Sequence, residues 1–524
     1  MPERCGGVTT ASPTITRMPE DETETAETAE TQDVPGERAR RLAKVEAARA
    51  AGAEPYPVRF DRTCTLSELR AAHGGLEAGE ETDVEVRVAG RIMLLRRQGK
   101  LTFATIKDQD ATVQLFVSRA VLGEGRHVDF DDLDLGDWVG VEGTVMTTRK
   151  GELSVKVTGF QLLAKALRPL PDKWHGLSDV DTRFRQRYVD LIVNDDARRV
   201  FAVRFAAVAA IRRYLGEHGF VEVETPVLEH ELGGATARPF HTHHNALDLD
   251  LFLRIALELH LKRLVVGGFE RVFEIGRVFR NEGIDTSHNP EFTMLEAYQA
   301  LADYHDMMAL TEALVVEAAR AANGTTELEI RGETFDLAEP WPRLTMVDLI
   351  REHVGVEIHP SMEVAAARAV LDGLGLTHQD SWGAGRCTHE VYDELVEHKI
   401  VRPTFVLDHP RETSPLARVH REDSTLVERF EVVANGHELA NAYSELNDPI
   451  DQRERFALEA AARAAGDAEA GTIDEDYLRA LEFGLPPTGG LGIGIDRLTM
   501  LLAGVTSIRE VILFPTLRPE RPES

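Results

Sequence analysis

RVFEIGRVFRNEGIDTSHNPEFTMLEAYQAL, from Arg271 to Leu301, reads as a strand, a loop and a returning strand. Gly283, Asp285, Asn289 and Pro290 supply the turn chemistry between the two runs. Side chains alternate along a strand, so Arg280 and Glu282 fall on one face, while Phe292, Met294, Glu296 and Tyr298 share a face of the returning strand. Charges then stand on a sheet surface that is otherwise apolar. A buried ion pair is the plain reading, but charges in this number on facing strands more often mark a polar ligand.

Three further stretches extend that surface. In GGLGIGIDRLTMLL, Gly490, Gly492 and Gly494 recur at period two and clear one strand face down to backbone, where a flat ligand could lie. Arg497 follows at the start of an apolar helix, where a cation opposes the helix dipole and points to a bound anion. Neither the glycine spacing nor a following GK[ST] fits a dinucleotide fingerprint or a P-loop. In NAYSE, Asn441, Tyr443 and Glu445 stand at i, i+2 and i+4 on one strand face. An acid and an aromatic on one face suit a cation on an aliphatic stem. GFVEVETPVL, running into Pro226 after a long amphipathic helix, is weak evidence alone.

Upstream, between about Asp83 and Ala164, the pattern changes to five short alternating runs: VEVRVAGRIMLLR, LTFATIKDQ, ATVQLFVS, DWVGVEGTVMTT and LSVKVTGFQLLA. These predict a small closed antiparallel barrel of the OB-fold kind, which binds single-stranded nucleic acid. Arg96, Arg97, Lys100 and Lys107 surround Phe103, giving cations for phosphates and a plate for a base. Phe103 as a core residue is the alternative.

The 524 residues, 43% apolar and 28% charged, have room for two or three domains. Every long apolar stretch is broken by charge, and the N-terminus lacks an export pattern, so the expected location is cytoplasmic, without a membrane anchor. Cys5, Cys64 and Cys387 form no CxxC pair, which argues against zinc and a disulfide framework. With 89 acidic against 59 basic residues, net charge is -30, so nucleic acid must dock on local basic patches. Solubility or a salt-adapted surface accounts for that excess equally well. PEDETETAETAETQD, Pro19 to Asp33, cannot offset its ordering entropy by burial. The expected organisation is a disordered acidic extension over 1–36, an N-terminal helix and OB barrel over 37–166, a linker over 167–185, an α+β catalytic domain over 186–518 and a tail over 519–524. Arg38, Arg40, Arg41, Lys44 and Arg49 on that helix suit a solvated face or an RNA contact.

The Pro226 segment, the run Arg280-Asn281-Glu282 and the Gly-rich strand ending in Asp496 and Arg497 resemble motifs one, two and three of the class II aminoacyl-tRNA synthetases. Longer strings, GGATARPF, HNALDLD, LKRLVVGGFERVFEIGRVFRNEG, HNPEFTMLEAYQA, NAYSELNDP and LPPTGGLGIGIDR, resemble the lysine-specific members of the OB-fold-bearing subgroup. The resemblance covers nearly everything from about residue 39 onward. It implies a class II catalytic domain on an antiparallel sheet with flanking helices, a homodimer, and activation of L-lysine with ATP before transfer to tRNA(Lys). By resemblance, Arg280 holds the α-phosphate, Glu282, His288 and Phe292 surround adenine and triphosphate, and Arg497 sits at the adenine or γ-phosphate. Glu431 and Glu438 match Mg²⁺ ligands. Gly234, Ala235, Glu258, Glu296, Tyr298, Asn441, Tyr443 and Glu445 match lysine-binding positions, and Arg96, Phe103 and Gln114 match anticodon-reading ones. An aspartate-specific relative would need basic side chains in the same pocket, so pocket charge favours lysine. Two positions depart from the pattern: Ser287 stands where many relatives carry arginine, and His260 replaces an aromatic in LELHLKRL.

Overall fold

The computed structural model describes residues 35–171, 177, 179–231, 233–235, 237–464 and 471–519. The acidic extension up to residue 34, part of the expected linker (172–176 and 178) and the tail beyond 519 lie outside the described residues, as does Cys5. The chain divides into two compact units, Met1–His175 and Gly176–Ser524.

In the first unit β1 (Glu81–Gln98), β2 (Leu101–Lys107), β3 (Thr112–Ser118), β4 (Trp138–Thr147) and β5 (Leu153–Ala164) close a barrel in the order β1-β2-β3-β5-β4. Burial alternates residue by residue along β2 and β3, which is the period-two pattern that sends one face inward. The interior is aliphatic, built from Val88, Ile92, Ile106, Val113, Leu115, Val139, Val141 and Val155. A register shift between Ile92 and Leu94 bends the long β1, so that its first half pairs with β4 and its second with β2.

The helix Pro35–Ala50 uses its basic face against the barrel. Arg41 is buried and donates to the carbonyls of Leu135 (3.1 Å) and Ala166 (2.9 Å). Arg40 and Lys44 both pair with Asp134. Three of the five cations that suited an RNA contact are therefore engaged in seating this helix.

The second unit is built on an eight-stranded sheet. In chain order its strands are β6 (Val221–Glu222), β10 (Arg271–Phe279), β11 (Glu291–Ala300), β14 (Arg343–Thr345), β15 (Thr404–Leu407), β16 (Arg429–Ala434), β17 (His437–Ser444) and β18 (Thr488–Gly494), placed β14-β15-β16-β17-β18-β11-β10-β6. Only the outermost pairs at each edge are parallel. A three-stranded sheet of β7 (Leu228–Glu229), β8 (His241–His244) and β9 (Leu249–Leu253) and the hairpin β12 (Glu327–Ile330) with β13 (Glu333–Asp336) are separate. Helices Asp195–Glu217, Tyr304–Asn323 and Ile495–Ala503 cover one face of the large sheet, against Phe273, Leu295, Ala297, Val432, Ala442, Leu491 and Ile493. The opposite face carries the polar side chains.

Local structure departs from the sequence reading in three places. The strand before the loop stops at Phe279, so Arg280 and Glu282 belong to the loop; Arg280 N still donates to Pro290 O (2.9 Å), but Asn281 N turns to Arg238 O (2.7 Å). GFVEVETPVL yields the two-residue β6 and the first residue of β7, and the Pro226 segment between them is pinned by the buried Glu274 carboxylate, which accepts from Thr225 N and Oγ1 and from Arg254. Within the expected linker, Val180–Arg185 is helical, because Asp179 caps it and Phe184 is buried beneath it. Among the described residues no helix is long and apolar enough to cross a membrane.

Candidate active site

Strand register places the polar side chains in rows across the sheet. Glu296 on β11 lies opposite Gly492 on β18, which lies opposite Asn441 on β17, which lies opposite Glu431 on β16. One step along, Tyr298, Gly490, Tyr443 and Arg429 form the next row. The glycines lower the middle of the sheet, but they do not act alike. A Cβ on Gly490 would meet the Tyr298 ring at 2.6 Å and collide with Glu445 Oε1, so the protein's own side chains fill that space. At Gly492 the nearest atom is Met294 Cε at 3.3 Å and at Gly494 it is Arg497 Cβ at 3.8 Å, so these two leave the floor of the cavity open.

The cavity holds about 440 Å³. Its dry end is acidic. Glu296 is buried, and its carboxylate accepts from Leu257 N (2.9 Å) and Tyr298 OH (3.0 Å). Glu258 accepts from Tyr443 OH (2.7 Å) and from Lys262 Nζ (2.5 Å). Burial, and then the Glu258 charge, push the Glu296 carboxyl up to about 7. Burial and the same carboxylates push the Tyr298 and Tyr443 phenols well above their ordinary value, so both remain donors. Gly234, at φ +86°, and Ala235 line the cavity beside Glu258. β17 ends at Ser444; Glu445, the next residue, is buried and paired with Lys262, and its Oε1 lies on the Tyr298 side of Gly490, beneath the residues that line the cavity.

The wetter end is cationic. The Arg280 guanidinium lies over the Phe292 ring, 5.1 Å from its centroid, and burial lowers its pKa from the ordinary arginine value. Arg497 Nη1 donates to Glu438 O (2.6 Å). His288 is exposed and tied to Asp285 (2.8 Å), and Glu282 is exposed on the same loop. Ser287 lines the cavity, whereas His260 pairs at 3.5 Å with Glu229 and does not.

Glu431 and Glu438 reach the same face through a bulge. Register slips by one between Val432 and Val433, so Leu439 joins Ala440 in the helix-covered core and Glu438 swings to the side of Glu431. Burial pushes Glu431 up to about 7, with Arg429 opposing and Glu438 adding to it. Among the described residues no cluster of three or more His, Cys, Asp or Glu side chains forms a metal cage. Two carboxylates beside a cavity fit Mg²⁺, which keeps waters and takes its remaining ligands from phosphate.

On the barrel, Arg96, Phe103, Phe116 and Lys156 are register partners in one row across β1, β2, β3 and β5. Phe103 meets Phe116 edge-on at 5.5 Å and belongs to the outward-facing set, not the aliphatic interior. Gln114 stands in the adjacent row and donates to Ser154 Oγ (3.0 Å). Arg97 is drawn away to the carbonyls of Asp131 and Leu133.

Residues 179–518 match the family model for class II tRNA synthetases (D, K and N), and residues 86–163 match an OB-fold nucleic acid binding domain. The chain belongs to the class II tRNA synthetases. It is 53% identical over 484 residues to a lysine--tRNA ligase of Synechococcus sp. strain CC9311, covering 92% of this chain and 99% of that one. Its identity is 52% over 489 residues to a lysine--tRNA ligase of Thermosynechococcus vestitus and 52% over 492 residues to one of Trichormus variabilis, covering 92% of this chain in each case, and 97% and 88% of theirs.

Within this synthetase, two site residues escaped sequence reasoning. Arg429 donates to Asn441 Oδ1 (3.0 Å), Ser414 Oγ (2.9 Å) and Glu431 (2.6 Å), joining the floor to the wall. Lys262 lies fully buried behind the acidic end. Its i, i+4 spacing from Glu258 was the available signal.

Proposed function

We propose that this synthetase activates L-lysine with ATP and transfers it to the 3′ end of tRNA(Lys). The carrying observation is the acidic end of the cavity: Glu296 is buried, yet bonded by a backbone N–H and a phenol rather than by a cationic side chain. A dry carboxylate of that kind gains most from an incoming ammonium. Glu258, Tyr298 and Tyr443 complete the wall, Gly234 and Ala235 admit the aliphatic stem, and Asn441 stands toward the α-carbon end. In the first step a lysine carboxylate oxygen attacks the α-phosphorus, the bond to the β-phosphate oxygen breaks, and pyrophosphate leaves with the electron pair. Arg280 neutralises charge developing at the α-phosphate, Arg497 sits at the adenine or the γ-phosphate, and Glu282, His288 and Phe292 surround the adenine and triphosphate. Glu431 and Glu438 would hold Mg²⁺, which supplies positive charge to the phosphates. In the second step the terminal tRNA hydroxyl attacks the lysyl carbonyl and AMP leaves. No side chain is needed as general base for activation, so positioning and electrostatics carry it.

Arg96, Phe103 and Gln114 read the anticodon, with Phe103 as a stacking plate. The enzyme works in the cytoplasm as a homodimer. Phe205, Val221 and Leu228 are exposed apolar side chains around the Pro226 segment, which a symmetric partner would cover. A monomeric mass by sedimentation at micromolar concentration would refute the dimer.

ATP/pyrophosphate exchange on the purified protein tests the substrate. Exchange is expected with lysine and not with aspartate or asparagine; exchange driven by either of the latter, or by none of the three, overturns the reading.

A further inference from the structure

Glu438, one of the two carboxylates that fit Mg²⁺, is held through its backbone from two sides. Its carbonyl accepts from Arg497 Nη1 at 2.6 Å. Its amide donates at 3.0 Å to Oε1 of Glu397, 41 residues earlier in the chain. Glu397 opens the short helical turn Glu397–Lys399, a segment anchored by the buried Val396 and Ile400, which share an apolar cluster with Val433 at the β16 register slip. The same segment takes two more amides from the turn between β16 and β17: Gly436 N donates to Ile400 O (2.7 Å) and Asn435 N to Val401 O (2.8 Å). Asn435 and Gly436 have φ +54° and +76°, and a Cβ on Gly436 would stand 2.9 Å from His398 O, so this turn lies flat on the segment's backbone. Arg331, at the tip of the β12–β13 hairpin, stitches the two together by donating to Asn435 Oδ1 (2.8 Å), Asn435 O (2.9 Å) and His398 O (3.2 Å). Glu397 itself does not line the cavity.

We propose that Glu397 is a positioning residue for the metal site, acting through the Glu438 amide: it fixes the register slip that turns the Glu438 carboxylate toward Glu431. This deepens the reading of Glu431 and Glu438 as the Mg²⁺ ligands and rests on it. In an unbroken ladder Glu438 would pair with Ala434 and face the helix-covered side of the sheet; with the slip it pairs with Val433 and faces the cavity. A bulge interrupts the ladder locally, so its geometry depends on partners from outside the strand pair. Here those partners are Glu397 and Arg497, which take the two peptide groups flanking the Glu438 Cα and set the direction in which its side chain leaves. A bond from a backbone N–H to a carboxylate is charge-assisted, and so stronger than the ladder bond it stands in for. The platform beneath it is rigid, because Val396 and Ile400 fix the Glu397 backbone in the core on both sides of the turn. Groups that orient a metal's ligands in this way tune its affinity without touching it.

The test is Mn²⁺ binding to the full chain saturated with ATP and without lysine, so that nothing turns over, followed by the electron paramagnetic resonance of free Mn²⁺. Wild-type protein is measured first, with Glu431→Gln/Glu438→Gln as the blank. If those two bind Mn²⁺ alike, the reading of Glu431 and Glu438 as metal ligands fails, and this proposal with it. Given a wild-type site, Glu397→Ala is expected to weaken Mn²⁺ binding about tenfold. Glu397→Gln keeps an acceptor oxygen for the amide and is expected to stay within about threefold of wild type. In pyrophosphate exchange the half-saturating Mg²⁺ concentration should rise about tenfold in Glu397→Ala while KM for lysine holds, a split that general loosening of the fold does not give. Unchanged Mn²⁺ affinity in folded Glu397→Ala, or a loss in Glu397→Gln as large as in Glu397→Ala, overturns the proposal. If Glu397→Ala does not accumulate as folded protein, Arg331→Met decides: its side chain is exposed, and its removal frees the Asn435–Gly436 turn without touching the core. Mn²⁺ binding weakened by about threefold then supports the proposal, and wild-type affinity overturns it.

Discussion

Phe103 and Phe116 stand on the outside of the barrel, while Ile92, Ile106, Leu115 and Val141 fill its interior. In the catalytic unit the arrangement is reversed: Glu258, Glu296 and Tyr298 are themselves buried, and each is hydrogen-bonded to another member of the site or to its wall. A functional side chain on the outer face of a closed sheet can be removed without touching the core. One inside a dry network cannot, because its partners are left with unsatisfied charge or donors. The barrel therefore offers separable contacts, and the catalytic sheet offers a coupled set.

The sharpest break of that comparison lies on β18. Gly490→Ala is expected to abolish lysine-dependent exchange, since the added carbon must displace the Tyr298 ring and Glu445. Gly492→Ala presses on the protein only at the tip of Met294, at 3.3 Å, and is expected to reduce exchange less, through the ligand space it narrows. Equal exchange rates in the two variants would show that the glycine row is not a coupled floor.

Next in size is Glu296→Gln, which keeps shape and removes a desolvated charge opposite the substrate's cation. Loss of one partner of such a pair costs on the order of 3 to 5 kcal/mol, so kcat/KM for lysine is expected to fall roughly a hundredfold or more. KM for ATP should hold, because Arg280 and Arg497 are untouched. Unaltered lysine dependence in a variant with a wild-type melting temperature would remove Glu296 from the pocket.

Phe103→Ala probes the separable side. Losing one stacking plate is worth about 1 to 3 kcal/mol, so tRNA charging should fall roughly 5- to 150-fold while pyrophosphate exchange and thermal stability stay unchanged. Equal damage to charging and exchange would place Phe103 in the coupled class.

The smallest effect is on stability against pH. The Glu296 carboxyl ionises near 7 in the fold against an ordinary 4.5. A raised carboxyl contributes stability that is complete below the ordinary value and is lost as pH rises through the folded one. Between pH 6 and pH 8 this group alone should lower the stability of the ligand-free protein by about 1 kcal/mol. The shifted carboxylates of the barrel unit, Asp134, Glu37 and Glu68, are lowered and act only at more acid pH. Melting temperature should therefore fall across this window, and fall less in Glu296→Gln; equal slopes would assign the loss to other groups.

The sequence by itself determined the barrel's strands and their inward faces, since the period-two burial along β2 and β3 is written residue by residue in LTFATIK and TVQLFVS, whereas closure through the parallel β3–β5 pair, in place of an all-antiparallel ring, is tertiary. It also determined which side chains of β11, β17 and β18 share a face, because alternation is a local property of the strand. Tertiary structure alone decided the rest. Which strands are neighbours is set by long-range pairing, so the rows Glu296–Gly492–Asn441–Glu431 and Tyr298–Gly490–Tyr443–Arg429 exist only once β16, β17, β18 and β11 lie side by side. A one-residue slip at Val432/Val433 decides that Glu438 joins Glu431, and no local propensity encodes that slip. Lys262 sits in a helical string that reads as ordinary amphipathic text, and its ion pair with Glu445 exists only because the fold brings that residue, 183 positions further along, against its ammonium.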